Sequence, residues 1–198
     1  RDLFPCVEQA ASPRVIHAML EPSPPVTICG PLEKGIRFAF DAGVPEHIVS
    51  DTGHANGTRM RDFGGFGDPA SPRNALLVEC GQHWERAAET VAWQATWRYL
   101  RALGTVNDMQ ASREIDVAPA PAQRLIRVTE AVIANSADFR FARSFSGLEI
   151  IPRRGDVIAW DGDRAVRAPY DNCVLVMPVP NNVKTGLTAV RLGRMEPR

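Results

Sequence analysis

The chain has 198 residues, with 23 Lys and Arg against 23 Asp and Glu, a formal net charge of zero, and 44% apolar residues. This length suits one large domain or two small ones, and the apolar share fits a packed core and excludes a disordered chain. A chain of zero net charge lacks the basic excess that holds proteins to phosphates, and no apolar run approaches the roughly 18 residues of a bilayer span, so neither nucleic acid nor a membrane is expected as a partner.

In chain order, residues 1–9 read as the end of a helix, which Pro13 breaks. Residues 14–19, R-V-I-H-A-M, form a β-branched run that suits a buried strand. A loop with Pro22, Pro24 and Pro25 precedes a second short strand at 26–29. Pro31 stands where a first helical residue belongs and Gly43 where a helix ends, so 32–42 is expected to be helical. Ile48 and Val49 begin another strand. Residues 51–73 then hold five glycines (Gly53, Gly57, Gly64, Gly65 and Gly67), three arginines and a histidine. A loop of that length inside a compact domain points to function.

Residues 74–78, N-A-L-L-V, read as an apolar strand ending at Glu79. Trp84, Ala87, Ala88, Val91, Ala95 and Leu103 recur at helical spacing, giving a long helix over 83–103 that Gly104 stops. Strand, tight turn at Gly81 and helix make a β-turn-α unit. The expected fold class is α/β, a partial and mostly parallel sheet with flanking helices over 1–104, plus a small C-terminal all-β domain over 122–198. Between them, 105–121 is rich in Ala, Pro and Asp and reads as a linker. Short strands are expected at 125–134, 140–145, 148–151, 157–160, 173–177 and 189–192, with Asp161-Gly162 as a hairpin turn.

Glu79 is the most informative residue. A carboxylate at the end of a buried strand sits where open α/β sheets place ligands, and burial is costly unless it is paired, hydrogen-bonded or metal-bound. Capping the next helix or meeting an arginine are its structural alternatives. His17 ends a short apolar strand, as a metal ligand or as a core residue. His83 reads as a helix cap, His54 as a loop residue within reach of a substrate, and His47 as surface. Arg59, Arg61 and Arg73 bring forked donors suited to a carboxylate, unless Asp62 and Asp68 neutralise them. There is no phosphate loop and no G-x-S-x-G elbow. Cys6, Cys29, Cys80 and Cys173 form no C-x-x-C pair, so a zinc knuckle is excluded. With no signal-peptide pattern visible, reduced thiols and a cytoplasmic location are expected. A Cys80 nucleophile partnered by Glu79 is disfavoured, because neighbouring strand residues point to opposite faces.

The run N-A-L-L-V-E-C-G-Q-H-W at 74–84 resembles the succinylglutamate desuccinylase/aspartoacylase family of zinc carboxypeptidase-like hydrolases, whose catalytic glutamate ends such a strand. V-I-H-A-M at 15–19 resembles the family's D-L-H-S-M-like strand end, which carries the third zinc ligand. G-H-A-N-G-T-R-M-R-D-F-G at 53–64 resembles the substrate loop of bacterial members. G-D-V-I-A-W-D-G at 155–162 and Y-D-N-C-V-L-V-M-P at 170–178 resemble their C-terminal β-domain.

The resemblance implies a Zn2+-dependent deacylase that hydrolyses the amide bond of an N-acyl amino acid or similar acylated small molecule. It implies Glu79 as the catalytic base, His17 as a zinc ligand, and Arg59, Arg61, His54 and Tyr170 as substrate-binding residues. The family's H-x-x-E pair of ligands has no match here, and Val15 stands where the family has Asp. The chain therefore resembles such an enzyme without its N-terminal portion. The alternative is a non-catalytic binding or assembly module derived from one, and a homo-oligomer is compatible with both.

Overall fold

The computed structural model describes residues 14–53, 59–117, 122–179 and 183–196. The chain divides into two units, one holding Pro25–Leu125 with the strand that ends near Ala18, the other holding Met19–Pro24 and the chain from Ile126 on.

The first unit is a mixed α/β layer. Its elements are β1 (Arg14–Met19), β2 (Val26–Ile28), α1 (Glu33–Ala42), β3 (His47–Ser50), β4 (Leu76–Gln82), α2 (Arg86–Ala102) and α3 (Asp108–Ser112). The strand order is β1-β4-β2-β3. β2 and β3 run parallel, joined by α1, whereas β4 is antiparallel to β2. The mixed α/β class expected from sequence is present, and among these pairings its parallel part is the β2-α1-β3 crossover.

α1 forms because Gly35, Ile36, Phe38, Ala39 and Ala42 fall on one buried stripe at helical spacing. Gly43 ends it in the left-handed conformation (φ 76°), its N–H donating to Ala39 and Phe40 carbonyls. Gly35 lets the helix lie against the end of β2. A β-carbon there would stand 2.5 Å from the Cys29 carbonyl oxygen. Ile36, Ala39, Ile48, Leu76 and Tyr99 close one core over this face, with Phe38 and Tyr99 packed edge to face at 4.9 Å.

β4 is where the structure departs most from the sequence pattern. The strand starts at Leu76 and continues through Gly81 (φ 111°) to Gln82, so Glu79 is its middle residue rather than its last. α2 begins at Arg86, three residues later than expected, and Glu85 rather than His83 holds the cap position. Val78 and Cys80 pack on Ala88 and Ala95 of α2. Alternation along the strand therefore turns Glu79 to the opposite face.

The 51–73 loop carries two short 3-10 turns, Met60–Asp62 and Gly64–Phe66. The stretch expected as a linker carries α3, closed by a reciprocal capping box. Asn107 Oδ1 accepts from the Gln110 N–H and Gln110 Oε1 accepts from the Asn107 N–H, both at 2.9 Å. It is tied to α2, as Trp93 Nε1 donates to the Glu114 carbonyl (3.2 Å) and Arg98 Nη2 to that of Asp116 (2.9 Å).

In the second unit every regular element described is a strand. β5 (Arg124–Ile133) begins in the first unit, and β6 (Arg140–Phe141), β7 (Ile150–Ile151), β8 (Val157–Asp161), β9 (Arg164–Arg167), β10 (Cys173–Val176) and β11 (Thr188–Met195) follow. They order as β5-β11-β10-β7 and β6-β8-β9, with antiparallel pairing throughout. Phe139, Phe145, Ile158, Leu175 and Val190 belong to their core. The Asp161-Gly162 turn joins β8 to β9, a strand the sequence pattern did not announce. No helix among the described residues is long and apolar enough to cross a membrane.

Candidate functional site

β4 lies between β1 and β2. Pairing sets Glu79 opposite Val26 of β2. On its other side β1 brings His17 onto the same face, with Nδ1 3.9 Å from Glu79 Oε1. The two side chains differ in environment: His17 is 58% exposed and Glu79 only 7%. Glu79 Oε2 is buried without a hydrogen-bond partner among the described residues. Burial pushes the Glu79 carboxyl above the usual range, while the charges of His17 and then His83 draw it partway back. A carboxylate so held is suited to taking up and releasing a proton.

Sequence reasoning thus found Glu79 and His17, and the fold joins them. It passed over His83, treated as a cap. His83 lies in the turn after β4 and its charge reaches the Glu79 carboxyl. The signal available was only its spacing of four residues from Glu79.

Arg59 and Arg61 gather elsewhere, on Asp51 just past β3. Arg61 Nη2 donates to the Asp51 carbonyl at 2.5 Å, and Arg59 Nη1 lies 3.6 Å from Asp51 Oδ2. The register places Val49 beside Ile28, and Ile28 beside Leu77. The arginines therefore stand at the opposite end of β2 from Glu79, roughly 13 Å away along the strand direction. Arg61 is buried, its Nε 3.4 Å from Asp62 Oδ1, and its side chain runs so close to Gly30, just past β2, that a β-carbon there would stand 3.0 Å from its Cδ. Arg59 keeps a quarter of its side chain exposed. Tyr170 belongs to the second unit, its hydroxyl 2.6 Å from Thr129 Oγ1 and the Arg194 guanidinium 3.7 Å above its ring. His54 lies outside the described residues.

No family model and no curated protein matches the sequence. Solved structures do. The succinylglutamate desuccinylase of Vibrio parahaemolyticus superposes with a TM-score of 0.63 at 15% identity, over 92% of this chain and 53% of its own. A succinylglutamate desuccinylase/aspartoacylase of Rhodobacter sphaeroides gives 0.65 at 15% identity, over 97% and 60%. An aspartoacylase family protein of Mesorhizobium loti gives 0.60 at 13% identity, over 99% and 60%. The chain has the succinylglutamate desuccinylase/aspartoacylase fold. It spans little more than half the length of the solved structures it matches.

Within that fold, the expected zinc ion can be weighed against the donors present. Among the described residues no group of three or more His, Cys, Asp or Glu side chains is placed to hold a metal ion. A catalytic zinc takes three protein ligands and a water. His17 supplies one imidazole, so the described residues do not by themselves fit the ion. A groove of about 540 Å³ adjoins β1, and Ile16, His17, Cys80, His83, Trp84 and Ala88 are among the residues that line it. Cys80 and Ala88 form its wall on the helix face of the sheet, and His17 and His83, whose charges both act on Glu79, line it as well. The buried Cys80 thiol faces away from Glu79, as strand alternation requires.

Proposed function

We propose that this chain carries the proton-transferring residue of a hydrolase that removes the acyl group from an N-acyl amino acid or a similar acylated small molecule. The observation that supports this reading is the buried Glu79 carboxylate, one oxygen unbonded, beside the His17 imidazole in a fold shared with desuccinylases and aspartoacylases.

In this reading Glu79 accepts a proton from the attacking water and later delivers it to the departing amine nitrogen. Its raised affinity for protons serves both steps, because a base is most effective when its pKa approaches the working pH. In its neutral form His17 is the side chain we assign to a Zn2+ cofactor, which would supply a Lewis acid for the amide carbonyl.

Amide hydrolysis measured on zinc-supplied protein across N-acetyl and N-succinyl amino acids tests the proposal. Glu79→Gln is expected to lower kcat by about 10²–10⁴-fold with KM little changed. A kcat within a few-fold of wild type contradicts the assignment. The exposure of His17, 58%, with no group of three metal-ligating side chains placed among the described residues, favours a second reading, a non-catalytic binding or assembly module. Zinc bound with an affinity that His17→Ala lowers supports the enzyme, and zinc binding indifferent to His17 supports the module.

A further inference from the structure

Lys34 lies in the first turn of α1, and its side chain crosses to the segment leading into β4. The ammonium nitrogen stands 2.6 Å from the carbonyl oxygen of Asp68, 2.8 Å from that of Arg73, 3.1 Å from that of Ser71 and 3.2 Å from that of Gly65. All four are main-chain oxygens. An ammonium has three protons to donate, so four close oxygens exceed what directional hydrogen bonding uses. At least one contact is charge against a carbonyl dipole.

The arrangement is that of an ion cage. Backbone carbonyls can replace the hydration shell of a potassium ion. Three of the four oxygens stand 2.8–3.2 Å away, beyond the range of about 2.0–2.6 Å typical of magnesium and calcium, and only that of Asp68 reaches its edge, so the spacing suits a monovalent cation. The segment's own turns aim the oxygens. The Ala70 N–H donates to Asp68 Oδ1 at 2.9 Å, the Ser71 N–H to the Asp68 carbonyl at 3.1 Å, and the Arg73 N–H to Ser71 Oγ at 3.3 Å. Burial lowers the Lys34 pKa while the Asp68 charge opposes that, so the cation is held at some cost.

We propose that the carbonyls of Gly65, Asp68, Ser71 and Arg73 form a monovalent-cation site that Lys34 fills from within the chain. This tethered cation fixes the segment between Arg61 and β4. The inference stands apart from the hydrolase reading, and its test needs no catalytic activity.

Trypsin digestion of the whole chain, with fragments mapped by mass spectrometry, decides it. Lys34→Ala is expected to speed cleavage after Arg73 by roughly tenfold or more, the effect of losing charge-assisted contacts on local opening. Cleavage after Arg140 and Arg167 in the second unit is expected to stay as in wild type. Potassium or ammonium chloride should slow the new cleavage, whereas tetramethylammonium at equal ionic strength, too large for the cage, should not. Unchanged cleavage after Arg73, or equal protection by tetramethylammonium, overturns the proposal. Should Lys34→Ala fail to fold, Lys34→Arg decides. Its flat fork keeps the charge but not the compact shape, so it should leave Arg73 open to trypsin. Protection equal to that of wild type overturns the cage.

Discussion

Glu79 is placed where its charge weakens the fold. Its pKa is raised, so the folded chain holds the proton more tightly than the unfolded chain does. Its contribution is therefore most favourable below the ordinary value of 4.5 and is lost as pH rises through the raised value. Thermal unfolding across a pH series should show Glu79→Gln melting above wild type at pH near 8, the gap closing below 4.5. An equal or lower Tm for the variant at high pH contradicts a buried, raised carboxyl. At this scale the sequence disclosed Glu79 and His17 because each is a polar residue within an apolar run. Lys34 gave no such signal, since four backbone carbonyls have no side-chain signature.

Single elements were legible where periodicity was strong. β1, α1 and β5 follow their apolar spacing within a residue or two. β4 did not, because a glycine inside an apolar run reads as a turn, whereas Gly81 takes a positive φ within the strand. α3 escaped notice because five residues give no periodicity, and its capping box holds it. β9, Arg-Ala-Val-Arg, offers too few apolar residues to announce a strand. β1 stands at the end of its strand order and carries Ile16, 45% exposed, near Trp84, 67% exposed. Such an edge, lacking a lysine, proline or bulge in its centre, invites another strand. Sedimentation velocity should therefore show concentration-dependent self-association that Ile16→Lys reduces. Association unchanged by the variant removes β1 as its cause.

At the scale of the whole molecule, the chain divides at Leu125–Ile126, past the stretch read as a linker, and Met19–Pro24 joins the second unit. The linker stretch belongs with the first unit because the Glu114 and Asp116 carbonyls that follow its helix accept hydrogen bonds from α2. The fold was legible through short runs around Glu79 and His17, although identity to its structural neighbours is only 13–17%. The arginine cluster was not, since nothing local in 51–73 reveals that Asp51 gathers Arg59 and Arg61 at the far end of β2. Carbon-13 NMR titration of the Glu79 carboxyl, in wild type and in His17→Ala, bears most directly on the candidate site. The carboxyl should titrate above 4.5 in wild type and higher still once the neighbouring positive charge is gone. A Glu79 carboxyl that titrates at or below 4.5, or is indifferent to His17, would show that the two groups do not share one face of the sheet.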